Sequence, residues 1–170
     1  MKFKGVSLDN LNKYDEAIKA YNKAIEIDPQ DSDAWGNKGA ALNNLDRYYE
    51  ALEAVNKAIE INQYNTHAWM SKAYAFNCLG KYNEALEAEK KAIEIDPKYL
   101  AAWQVKASTL RSLGQYDEAL IAANKAIDLN PQNSDAWTSK AAILDDLGRY
   151  NEALKAENKA TEINPHNPHA

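Results

Sequence analysis

Residues 32–65 read SDAWGNKGAALNNLDRYYEALEAVNKAIEINQYN, and this stretch decides the fold. It carries two helical patterns in succession. Trp35, Gly39, Leu42 and Leu45 fall at helical spacing and predict a first helix over about Asp33–Leu45. Ala51, Leu52, Val55, Ala58, Ile59 and Ile61 predict a second helix over about Tyr49–Ile61. Ser32 stands where a side-chain oxygen would cap the first helix. Glu50 falls in the first turn of the second, where negative charge meets the positive end of the helix dipole.

The same wording returns along the chain. Trp35, Trp69, Trp103 and Trp137 are 34 residues apart, as are Tyr14, Tyr48, Tyr82, Tyr116 and Tyr150. Ala17, Ala51, Ala85, Ala119 and Ala153 keep the register, as do Ala24, Ala58, Ala92, Ala126 and Ala160. Gly80, Gly114 and Gly148 follow three of the first helices, where glycine supplies a left-handed turn at little steric cost. Pro29, Pro97, Pro131 and Pro165 stop the second helices. Units of this size bury their apolar faces on one another. The expected architecture is therefore all-α: a single array over 1–170, with repeats at about 1–31, 32–65, 66–99, 100–133 and 134–167. Small residues, Gly5, Gly39, Ala73, Ala107 and Ala141 in the first helices and Ala17 to Ala153 in the second, predict close helix crossings.

The totals narrow the function classes. Formal net charge is −5 over 170 residues, which argues against a nucleic-acid or anionic-membrane binder, since both need a basic field. Cys78 is the one cysteine, so no intrachain disulfide is available. No apolar run reaches the ~18 residues of a membrane span, and the opening MKFKGVSLDN does not read as a secretory leader. The expectation is a soluble, cytoplasmic protein.

The residues Trp35, Gly39, Leu42, Ala51, Val55 and Ala58, repeated around Trp69, Trp103 and Trp137, resemble the tetratricopeptide repeat family. The resemblance covers the whole chain and implies a right-handed α-solenoid of antiparallel helix pairs. The chain departs from the family pattern in three ways. The leucine before the small residue is a lysine throughout: Lys4, Lys38, Lys72, Lys106 and Lys140. A lysine can lay its stem on the seam and keep its charge in water. The bulky aromatic of the second helix survives only as Tyr21, with Val55, Glu89, Ala123 and Glu157 elsewhere. A fully buried glutamate is costly, so that edge of the seam is expected to be partly open. Met1 falls where the first tryptophan belongs.

The resemblance also implies a groove lined by first helices, taking an extended peptide or a partner helix. By register its candidate residues here are Asn37, Asn43, Met70, Tyr74, Asn77, Gln104 and Arg111. The amides suit a peptide backbone, and Met70 and Tyr74 offer apolar contact. Two binding modes of the family find little match. A carboxylate clamp would keep only Lys2 and Asn37, and an asparagine ladder only Asn37. Along the lining, Lys2 and Arg111 stand against Asp9, Asp33, Asp135, Asp145 and Asp146, which favours a neutral or basic ligand.

No catalytic constellation, phosphate loop or cofactor motif is visible, and the chain is not read as an enzyme. His166 and His169 sit in a Pro-rich terminus and read as bystanders rather than metal ligands. Asp28, Asp31 and Asp33 lack the glycine and distal glutamate of a calcium loop and read as helix-end residues. Two functions remain: a protein-interaction scaffold with a peptide groove, or a self-assembling array joined through uncapped ends, whether natural, trimmed or designed.

Overall fold

A computed structural model describes residues 1–165. His166 and His169 lie outside the described residues. The described chain is all-helical, and its contacts group it into two units, Met1–Asp96 and Pro97–Ala170.

The first unit holds α1 (Lys2–Asp9), α2 (Tyr14–Ile27), α3 (Ser32–Asn43), α4 (Tyr48–Ile61), α5 (Thr66–Cys78) and α6 (Tyr82–Ile95). The second holds α7 (Leu100–Ser112), α8 (Tyr116–Leu129), α9 (Ser134–Asp146) and α10 (Tyr150–Ile163). Each odd-numbered helix pairs with the one after it. Within the first unit α3 also packs on α2 and α5 on α4; within the second, α9 packs on α8.

Helix ends follow local chemistry. The cap of α3 is Asp31, not Ser32: the Asp31 carboxylate accepts from the Ala34 amide at 3.0 Å. Ser32 is instead the first helical residue, and its hydroxyl donates to the Ala58 carbonyl at 2.9 Å. Asn65 and Asn133 cap α5 and α9 in the same way as Asp31. The left-handed exits are Gly80, Gly114 and Gly148 at φ near +70°, and Asn12 and Asp46 take that role in the first two repeats. Asn and Asp enter this region more readily than other non-glycine residues.

The core is an alanine-rich seam. In one cluster Ala17, Ile18 and Tyr21 of α2 meet Ala41 and Leu42 of α3. The close approach of paired helices is visible at Gly39. A methyl group there would fall inside the Val55 side chain and sit 3.3 Å from the Ala51 carbonyl oxygen. Gly5 faces the Tyr21 ring equally closely. Repeats that carry alanine at this place pair it with something other than an apolar bulky residue: Ala73 with Glu89, and Ala107 with Ala123, by register.

The expected open edge at the glutamates holds at one and fails at the other. Glu157 is half-buried, but Glu89 is fully buried. Its carboxylate accepts from the Asn77 side-chain amide at 3.1 Å. A hydrogen-bonded partner is what a buried carboxylate requires, and Asn77 on the facing helix supplies one.

Candidate functional site

The recurring tryptophans and lysines are occupied by the fold. Each tryptophan donates its indole N–H to the carbonyl six residues earlier: Trp35 to Pro29, Trp69 to Gln63, Trp103 to Pro97 and Trp137 to Pro131, at 2.9–3.1 Å. The lysine one turn on lies over the same ring. Lys38, Lys72, Lys106 and Lys140 sit 5.2–5.4 Å from the centroids of Trp35, Trp69, Trp103 and Trp137. The lysine that replaces the family leucine therefore packs its stem and turns its charge onto an aromatic face. Burial lowers the pKa of Lys38 and Lys72. Where Met1 replaces tryptophan, a cleft of about 200 Å³ opens between Lys4, Leu8 and Ala20.

The first-helix faces carry the candidate site. In the first unit, α1, α3 and α5 form a cleft of about 380 Å³ lined by Lys2, Phe3, Val6, Asp33, Gly36, Asn37, Asn65 and His67. Asn37 is half-buried in its wall. Phe3 is 82% exposed and Val6 37%, so apolar surface is presented beside the polar wall. The Lys2 ammonium bridges Asp31 at 3.1 Å and Asp33 at 3.2 Å. For Lys2, burial acts downward, but the two carboxylates outweigh it and the pKa rises. For Asp31, burial acts upward, but the Ala34 amide and Lys2 prevail and the pKa falls. One cation against two carboxylates leaves the cleft with a negative excess.

Met70 is half-buried on α5, and Tyr74, one turn on, is 48% exposed. Tyr74 adjoins Cys78, the exposed final residue of α5. The field of the Cys78 sulfur, with burial and a hydrogen bond to it, raises the Tyr74 phenol above its ordinary pKa. Tyr48 is raised too, first by its hydrogen bond to Asp46 and then by one to Cys78.

Four of the candidate groove residues, Asn43, Asn77, Gln104 and Arg111, do internal duty. Asn43 is 3% exposed, and its amide donates to the Ser71 carbonyl at 2.8 Å, tying α3 to α5. Asn77 serves Glu89. At the same register, Asp9 accepts from the Tyr21 hydroxyl at 2.9 Å. In the second unit, Arg111 pairs with Asp146, and Gln104 donates to Asn133 at 3.2 Å. The breaks in the repeat along the row of Asp9, Asn43, Asn77 and Arg111 thus match polar groups, backbone or side chain, on neighbouring helices. Asn43, Asn77, Gln104 and Arg111 all have protein partners, whereas Asn37, Met70 and Tyr74 line or adjoin open surface.

Sequence reasoning passed over Phe3 as a lining residue. The available signal was the i, i+3 pair Phe3 and Val6, at places where the next repeat has Asn37 and Ala40. The three aspartates near the start of α3 have partners within the fold. Asp28 accepts from the Gln30 amide, Asp31 caps α3 and Asp33 holds Lys2. Among the described residues no group of three or more His, Cys, Asp or Glu is placed to hold a metal, and no helix is long and apolar enough to cross a membrane.

Family models described as TPR repeat and tetratricopeptide repeat match residues 10–46, 32–65, 66–99 and 105–168. The chain is a tetratricopeptide repeat protein. No curated protein sequence matches this repeat protein significantly. Among solved structures, MamA is 24% identical with a TM-score of 0.84, covering 95% of this chain and 94% of its own. TTC0263, a thermophilic TPR protein of Thermus thermophilus, is 24% identical with a TM-score of 0.81, covering 98% and 91%. YrrB, described as a TPR protein with an unusual peptide-binding site, is 22% identical with a TM-score of 0.79, covering 99% and 87%. At these identities the likeness of the tetratricopeptide repeat chain to its neighbours is one of fold.

Proposed function

We propose that this tetratricopeptide repeat protein is a protein-interaction scaffold, and that the α1/α3/α5 face takes an extended peptide of neutral or basic character. The observation that carries the reading is the cleft of about 380 Å³ beside Asn37, with Phe3 and Val6 exposed at its edge. Asn37 offers an amide donor and acceptor to a peptide backbone. Phe3 and Val6 offer apolar contact to alternate side chains. The excess carboxylate charge around Lys2 favours Lys or Arg in the ligand over an acidic tail. Tyr74 and Met70 extend the same helix face along α5. The peptide-binding site named for YrrB, on a similar fold, is consistent with such use.

The test is a peptide array read with the parent chain and with Phe3→Ala, Asn37→Ala and Tyr74→Ala. Peptides with basic residues should be enriched, and their capture should weaken as salt rises. Asn37→Ala and Phe3→Ala should each weaken the best peptide about tenfold, the size of one good buried contact. Retention of every peptide by all three variants would show that this face is not the site. Arg111→Ala, in the second unit and already paired with Asp146, should leave binding unchanged.

A further inference from the structure

The apolar row of α10 is open where the same row of α2 is covered. Leu154 of α10 is 62% exposed, while Ile18, at the same register of α2, is 8% exposed under α3. Beside Leu154 lies a cleft of about 430 Å³ between α9 and α10, reaching Thr138, Asp145, Tyr150 and Glu157. Two oxygens there are buried without a hydrogen-bond partner, Thr138 Oγ1 and Glu157 Oε1. Buried acceptors of this kind are uncommon and point to a missing donor.

The repeat register identifies what fits. On α2 the place of Glu157 is taken by Tyr21, and Tyr21 and Ile18 share a core cluster with Ala41 of α3, with Leu45 packed against it. In the first repeat the places of Ala41 and Leu45 are taken by Ser7 of α1 and by Leu11 in the turn that follows it. Both are exposed, Leu11 at 66%. The Ser7 hydroxyl now donates only to the Phe3 carbonyl of its own helix, at 3.0 Å.

We propose that a second copy of this chain docks its α1 on α10 in the register that α3 adopts on α2. Ser7 of the arriving copy then meets Glu157, replacing a neutral hydrogen bond with a charge-assisted one. Leu11 lies over the Leu154 row, which gives both leucines the cover that Leu45 and Ile18 have inside the chain. The contact joins two different surfaces, so a pair leaves one α1 and one α10 unused and the assembly grows head to tail. Phe3 lies one turn from Ser7 on α1, but the variants that test this proposal alter Leu154 and Leu11, neither of which lines the peptide cleft, so the two readings fail separately.

Sedimentation velocity on the chain from roughly 10 µM to 1 mM, the range of weak protein contacts, tests it. The average mass should rise with concentration. Leu154→Lys and Leu11→Lys alter exposed side chains, and circular dichroism should show unchanged helix content. Each variant alone should associate at least about tenfold more weakly, since one buried leucine is worth that much. Mixed in equal amounts, they should form a 1:1 complex that does not grow, because Leu154→Lys keeps an intact α1 and Leu11→Lys an intact α10, while the remaining ends bring two lysines together. A parent chain that stays monomeric overturns the proposal, and that result needs no variant. So does association that survives Leu154→Lys, or mixed variants that fail to combine, which would indicate a symmetric contact instead.

Discussion

Two glycines on one helix should respond in opposite ways to the same substitution. Gly36 and Gly39 both lie within α3. A methyl group at Gly36 meets only ordinary neighbours: Asn65 Nδ2 at 3.6 Å, the Ala68 methyl at 3.7 Å and the Ala58 methyl at 3.9 Å. Gly36→Ala should therefore stabilise by about 1 kcal/mol, the difference in helix propensity. At Gly39 the methyl runs into Val55 Cγ1, with the Ala51 carbonyl oxygen 3.3 Å away. Val55 is stiff at its branched carbon and fully buried, so it has little room to yield. Overpacking of about 1–3 kcal/mol, less the propensity gain of about 1 kcal/mol, leaves Gly39→Ala destabilising by up to roughly 2 kcal/mol. Val55→Ala alone should cost about 2 kcal/mol through two lost methyl groups and the space they leave. In that background the obstruction is gone, and Gly39→Ala should become stabilising. The double variant recreates the Ala107 and Ala123 combination that the chain already uses. Urea unfolding of the four members of this cycle, compared at constant slope, should give a coupling of about 2 kcal/mol. If Gly39→Ala has the same sign in both backgrounds, the packing argument is wrong.

Three further outcomes follow from particular contacts. Burial raises the Asp9 carboxyl pKa, and the Tyr21 hydrogen bond only partly offsets it. A raised carboxylate destabilises the fold above its folded pKa, and the penalty fades as pH falls to the unfolded value. Asp9→Asn should thus raise the unfolding midpoint at pH 7, and the gain should vanish by about pH 4 in a pH series of melts. Asn65 both caps α5 and donates to the Ser32 hydroxyl at 2.8 Å in a buried setting, whereas Asn133 is half-buried. Asn65→Ala should cost about 2–3 kcal/mol and Asn133→Ala about 1 kcal/mol by urea unfolding, and the reverse order would count against the burial argument. Trp137→Phe removes the bond to the Pro131 carbonyl and weakens the Lys140 contact, for a loss of about 1–2 kcal/mol measured the same way.

Much of the fold was legible because a period of 34 residues overdetermines it. Helix pairs, left-handed exits at Gly80, Gly114 and Gly148, and terminating prolines each depend on local backbone preference, which a sequence displays directly. The cap of α3 lies one residue earlier than its local pattern suggests. Asp31 and Ser32 are both good caps, and Ser32 is drawn instead to the Ala58 carbonyl on α4. The candidate site was less legible. Register put Asn43, Asn77, Gln104 and Arg111 along one set of first helices, but register gives a direction and not a partner.

The sequence by itself determined the all-helical repeat, the identity of its seam residues and the positions where the period breaks. Only the tertiary structure decided what those breaks do. Glu89 is buried because Asn77 faces it, Gly39 admits Val55 because it has no side chain, and Lys38 lies on Trp35 rather than in water. Local propensity acts on neighbours along the chain and can be read from them. Partnership among polar side chains depends on residues brought together across helices, and that pairing exists only once the helices have packed.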